Sequence, residues 1–158
     1  MDSLKLKKGF TVIELIFVIA IAGILTSLAV YSTVKWMQKI KVRTFAMKVL
    51  SDLEWAKSLA FKYGSSRVKF DNLNNTYTIS ADNFTDKFTV EKGIRMEVSE
   101  KLLEGDGLKF GRNKLPKKNG HILISDEDGK IKYLICIHNI SGRIRIIESP
   151  KQDNCTEN

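Results

Sequence analysis

From Phe10 to Tyr31 the chain carries a single charge, Glu14, in 22 residues filled mostly by Leu, Ile, Val, Phe and Ala. As a helix, such a run is long enough to cross a bilayer core of roughly 30 Å. The 158 residues then leave space for one modest globular domain and little else. The carboxylate is the anomaly. An acidic residue in an apolar helix costs about 2.5–3.5 kcal/mol when placed at the bilayer centre, so it normally has a partner or a task.

Three readings compete for the start MDSLKLKKGFTVIELIFVIAIAGIL. A secretory signal ends at a small-x-small site, and Ser27-Leu28-Ala29 supplies one. The apolar run, however, exceeds the 7–15 residues of a signal core, and a carboxylate sits near its start. A plain membrane anchor leaves Glu14 unexplained. The third reading rests on residues Lys7-Lys8-Gly9-Phe10-Thr11-Val12-Ile13-Glu14-Leu15. This segment resembles the cleavage and assembly motif of type IV prepilins and type II secretion pseudopilins. In that family a membrane-embedded prepilin peptidase cuts after the glycine and methylates the new amino terminus. The resemblance implies that Gly9 ends the leader, that Phe10 becomes the N-methylated first residue, and that Glu14 is the fifth. The spacing has a physical sense. A cationic amine at Phe10 inside a filament needs a counter-ion, and the Glu14 carboxylate of a neighbouring helix supplies it and sets the axial register. Glu14 also falls in the first turn of the mature helix, where the macrodipole favours negative charge.

Charge alone decides less. The formal net charge is +8, with +2 in the first nine residues from Lys5, Lys7 and Lys8 against Asp2. Such an excess suits a nucleic acid or an anionic lipid surface and says nothing of fold. Lys35, Lys39, Lys41 and Arg43 follow the apolar run, so basic residues flank it on both sides and the positive-inside rule leaves orientation open. The resemblance places the leader in the cytoplasm and the remainder beyond a bacterial inner membrane, crossed once, with the head in the periplasm and later in a pilus or pseudopilus.

The expected organisation is a leader over 1–9, a transmembrane and filament-core helix over 10–31, its amphipathic continuation over 32–63, and a β-rich head with a C-terminal tail over 64–158. No proline interrupts residues 10–63. Val42, Phe45, Val49, Leu53, Ala56, Ala60 and Tyr63 recur in steps of three and four and predict one buried helical stripe. Lys39, Arg43, Asp52 and Lys57 fall off it, and Gly64 is the stop. Beyond Gly64, short alternating runs predict strands at 67–70, 77–80, 88–90, 95–98, 121–124, 131–137 and 144–147. Asp128-Gly129 marks a hairpin. The fold class is α+β: a long N-terminal helix packed against two small antiparallel sheets. Lys57-Ser58-Leu59-Ala60, Gly64-Ser65-Ser66 and Gly142-Arg143-Ile144-Arg145, in this order, resemble the GspH/FimT family of pseudopilins and minor pilins. Many major pilins carry proline near the twenty-second mature residue; Tyr31 stands there here, which favours a minor subunit.

Cys136 and Cys155 are the two cysteines. An even count in an exported domain favours a disulfide, and a loop of about 20 residues stabilises by roughly 3 kcal/mol in the chain-entropy account. Two unrelated thiols are the alternative. His121 and His138 lie far apart with no metal-ligand spacing. Asp126-Glu127-Asp128-Gly129 clusters oxygen ligands of the kind calcium takes, but it lacks the rest of any loop pattern and reads as an acidic turn. No phosphate loop, nucleophile elbow or catalytic dyad is visible, so an enzyme, a cofactor and a metal are not expected.

Two basic segments stand out. Lys109, Arg112, Lys114, Lys117 and Lys118 occur between Gly107 and Gly120 with no acidic residue among them. Arg143 and Arg145, two apart in a strand, are expected on one face, where they grip successive phosphates of double-stranded DNA without reading bases. In FimT-like competence pilins a Gly-Arg-x-Arg element is implicated in DNA binding, and Gly142-Arg143-Ile144-Arg145 matches it. A solvated strand edge whose charges discourage aggregation is the plainer explanation. The expected partners are other pilins or pseudopilins through the N-terminal helix, prepilin peptidase, an inner-membrane assembly platform and, on the second reading, duplex DNA. Type II secretion, a type IV pilus or competence machine, and a soluble binding protein with a signal peptide remain the three functional hypotheses.

Overall fold

The structure, a computed structural model, describes residues 10–151 and 155, with the backbone alone for residues 28–32. The leader, including Gly9, and tail residues 152–154 and 156–158 lie outside the described residues. The chain divides into two compact units, residues 1–37 and 38–158.

One helix, α1, runs from Val12 to Tyr63. Thr11 caps it: its Oγ1 accepts the Glu14 N–H at 3.3 Å, and its carbonyl accepts the Leu15 N–H at 3.2 Å. Thr11 and Glu14 thus occupy the two key positions of a capping box. In the first unit the described apolar side chains point outward, from Phe10 at 80% exposure to Leu25 at 61%. In the second unit α1 changes character. Val42, Phe45, Val49, Leu53, Ala56 and Ala60 are all at most 2% exposed. The expected stripe is there with two corrections. Ala46 joins it, and Tyr63 does not: at the last turn it is 42% exposed. Gly64 ends the helix with φ +90°, a conformation costly for any residue with a Cβ.

Two four-stranded antiparallel sheets pack on this stripe. The strands are β1 (Ser65–Asp71), β2 (Thr76–Ala81), β3 (Phe84–Thr89), β4 (Ile94–Val98), β5 (Leu108–Gly111), β6 (Gly120–Asp126), β7 (Lys132–Ile137) and β8 (Ile144–Glu148), with a single-turn helix α2 (Glu100–Leu103) after β4. The first sheet has the order β3-β2-β1-β5 and the second β4-β6-β7-β8. Their inner faces contribute Val68, Tyr77, Ile79, Leu108 and Phe110, and Met96, Ile122, Ile124, Ile135 and Ile137, to one core with the helix stripe. The sequence pattern missed β5 and α2, and it placed only the end of β3. β3 is an edge strand, exposed at every residue but Phe88, so it lacks the alternation that reveals a half-buried strand. Phe84 packs edge-on against Trp55 at 5.3 Å, and Phe88 stacks on Tyr77 at 5.1 Å.

Asp52, expected to be off the buried face, is half-buried and accepts a hydrogen bond from the Tyr77 hydroxyl. Burial first, and this bond second, push the Tyr77 phenol far above its ordinary range. The start of the head is clasped by Lys39 and Glu148, 2.9 Å apart, each shifting the other toward its charged form. Exposed pairs of this kind contribute little to stability, because solvent screens them.

Candidate functional site

The first candidate site is the capped start of α1. Phe10 is exposed and directly precedes the cap, and Glu14 is exposed on the first turn, among Ile13, Leu15 and Phe17 at 58–72% exposure. Thr11 was the residue the sequence reading overlooked, although the Thr-x-x-Glu spacing announces it. Among the described residues no helix is long and apolar enough to cross a membrane. The side chains of residues 28–32, part of the apolar run, are outside that set.

The second candidate is a basic surface at the far end of α1, and here distant segments converge. Lys114 Nζ lies 4.7 Å from the ring centroid of Phe61, which is 62% exposed. The Arg112 guanidinium lies beside Gly64, 3.5 Å from where a Cβ would stand. Gly142 packs on the same loop: a Cβ there would meet Leu115 Cδ2 at 2.8 Å and the Lys114 carbonyl at 3.5 Å. The Gly142 carbonyl accepts a hydrogen bond from Lys57 Nζ at 3.0 Å. The two basic segments of the sequence are therefore neighbours, and Arg143, exposed, follows directly on Gly142.

Not every expected cation joins this surface. Lys118 Nζ is turned to the Glu104 carbonyl at 2.8 Å, Lys109 is half-buried in β5, and exposed Lys117 donates its backbone N–H to the Lys109 carbonyl at 2.9 Å. The arginine pair is also unequal. Arg143 precedes β8, whereas Arg145 lies within it, half-buried, with its Nε buried and without a hydrogen-bond partner among the described residues. Two arginines on one strand face were expected; the strand begins between them, and the second is half-buried.

His121 and His138 lie far apart in sequence. Both line one groove of about 820 Å³, with Ser99, Glu100, Lys101, Asn119 and Cys155 among the other walls. Cys155 is bonded to Cys136, with Cα atoms 5.8 Å apart, so the disulfide joins the tail to β7. Cys136, Leu123 and Leu134 form a small second core with Cys155 against it. The acidic turn is a hairpin turn: Asp126 Oδ1 accepts the Ile131 N–H at 2.9 Å, Asp128 meets Lys130 at 3.0 Å, and Gly129 adopts φ +67°. Among the described residues no group of three or more His, Cys, Asp or Glu side chains is placed to hold a metal ion.

Comparison with known proteins bears on both ends of the chain. The prokaryotic N-terminal methylation motif matches residues 4–30. The structure is similar to that of the minor pseudopilin EpsH from the type 2 secretion system of Vibrio cholerae, with a TM-score of 0.50 and 14% sequence identity over 70% of this chain and 96% of that one. No curated protein matches the chain in sequence. The chain thus carries an N-terminal methylation motif ahead of a helix-and-two-sheet head that shares the fold of a minor pseudopilin. The motif match is confined to the start of the chain, and the likeness to the pseudopilin is one of fold.

Proposed function

We propose that the chain is a GspH-like minor pseudopilin, cut after Gly9, methylated at Phe10, anchored in the inner membrane by residues 10–31 and then drawn by an assembly platform into a type II secretion pseudopilus. The outward-facing apolar side of α1 is the observation that carries this reading. Beyond the exposed side chains of the first unit, the head segment leaves Ile40, Met47 and Phe61 41–62% exposed, seven or fourteen residues apart along one face. Lipid and then neighbouring helices supply the apolar surroundings such a face lacks in water. Glu14 is the charge that meets the Phe10 amine of an adjacent subunit. Mass spectrometry of the amino terminus tests the processing step. The expected mature protein begins with methylated Phe10; a start at Val30, after Ser27-Leu28-Ala29, overturns the reading.

A second reading, a FimT-like subunit that captures DNA for uptake, is favoured by the meeting of the 112–115 loop with Gly142-Arg143. Arg112, Lys114 and Arg143 then form the phosphate-contacting set, with Arg145 in a lesser part. On this reading the purified protein in detergent binds duplex DNA without sequence preference, with a log–log salt slope of about −0.9 per phosphate neutralised. Arg143→Gln with Lys114→Gln flattens the slope by up to about two units. Absence of binding at low salt removes this reading and leaves the secretion one.

A further inference from the structure

The Nε of Arg145 is a buried cationic donor with no acceptor among the described residues, and such groups are costly enough to need a reason. Its surroundings follow from the ladder. Arg145 on β8 is the register partner of Cys136 on β7, and Cys136 is the register partner of His121 on β6. Residues directly opposed in antiparallel strands project to one face with Cβ atoms about 4.5–5.5 Å apart. Cys136 is therefore flanked on one face of the sheet by Arg145 on one side and His121 on the other. It is itself fully buried, whereas its bonded partner Cys155 is half-buried and lines the groove with His121.

We propose that Cys136–Cys155 is an exchangeable disulfide, opened from the groove by a small thiol, with Arg145 and His121 holding the thiolate that leaves at Cys136. A thiolate RS⁻ in the groove reaches Cys155 Sγ, because Cys136 is shielded. A bond forms between the entering sulfur and Cys155, the Cys136–Cys155 bond breaks, and its electron pair stays on Cys136 Sγ. The Arg145 N–H, idle in the oxidised protein, then has an acceptor. Neighbouring cations stabilise a thiolate, and a better-stabilised leaving thiolate departs faster. Return attack by Cys136 on the mixed disulfide expels RS⁻ and closes the bond again. Attack by a second RS⁻ instead releases RSSR and leaves both cysteines reduced, a two-electron change supplied by the two thiols. The fastening of the tail over Leu123 and Leu134 thus answers to the thiols around the head.

The test uses the full chain in detergent with glutathione as the thiol, followed by a rapid acid quench, maleimide labelling and peptide mapping. Glutathione on Cys155 and maleimide on Cys136 are expected; the opposite assignment, or a disulfide that glutathione leaves intact in the folded protein, overturns the proposal. Arg145→Gln is expected to slow opening by at least about threefold, with Arg145→Lys retaining most of the rate. A merely structural arginine gives the opposite sign, since loosening the face exposes the bond and speeds its opening. An unchanged or faster rate in Arg145→Gln therefore refutes the role given to Arg145. If that variant does not fold, the site of attack in the unaltered protein still decides.

Discussion

Glu14→Ala is expected to leave the chain in the membrane, at the same level or higher, and to lower its incorporation into sheared filaments by about tenfold or more. Removing a carboxylate from the apolar run relieves an insertion cost of up to about 2.5–3.5 kcal/mol. In the filament the balance reverses. A Phe10 amine buried without its counter-ion loses on the order of 3–5 kcal/mol, and about 1.4 kcal/mol already gives tenfold. The cap at Thr11 supplies a rival explanation, because Glu14 is also the third residue of the capped turn. Glu14→Gln separates the two. Glutamine serves a capping box as glutamate does but carries no charge, so it is expected to fail as alanine does. If quantitative immunoblotting finds the glutamine variant in filaments at the normal level, Glu14 acts on the helix start and not on the neighbouring subunit.

Two phenylalanines on the same helix are expected to behave in opposite ways. Phe45 is 1% exposed in the core that the stripe shares with both sheets, and Phe61, near the end of α1, is 62% exposed. Phe45→Ala is expected to cost about 3–5 kcal/mol, the loss of transfer energy plus the cavity left in the core. Phe61→Ala is expected within about 0.5 kcal/mol of the unaltered protein. Urea unfolding of the full chain in detergent, followed through the fluorescence of half-buried Trp55, gives both numbers. Comparable losses at the two positions contradict the burial pattern. A small loss at Phe61 with impaired assembly is the outcome expected of a residue kept for a partner.

That contrast marks what the sequence makes legible. The stripe from Val42 to Ala60 was readable because a helix repeats its environment every three or four residues, so local spacing reports burial. The motif at the start of the chain was legible for a similar reason: Gly9, Phe10 and Glu14 lie within six residues of one another, inside the segment that the N-terminal methylation motif matches. The last turn escaped, since Tyr63 keeps the period after the sheets have ceased to cover that face. β5 escaped because Leu108–Gly111 is four residues long and lies among glycines and lysines, where composition reads as loop. The sites formed by cross-strand neighbours were not legible at all. His121 and His138 line one groove because β6 pairs with β7, and Lys114 and Gly142 meet where two loops far apart in sequence pack together. The unequal exposure of Arg143 and Arg145 depends on where one strand begins, a boundary that periodicity does not fix.

The stripe has a mechanical consequence. From Val42 to Ala60 the head grips its helix over 19 residues, about 27 Å. The grip runs lengthwise along α1 and is not gathered at one point. A thrust or pull delivered along α1 then loads all those contacts together in shear, and no single contact at an end can give way first and let the rest peel. Traction across the helix would instead open them one turn at a time. A head fastened in this way is strong along the one direction in which a growing or retracting fibre applies force, and weak against a sideways tug.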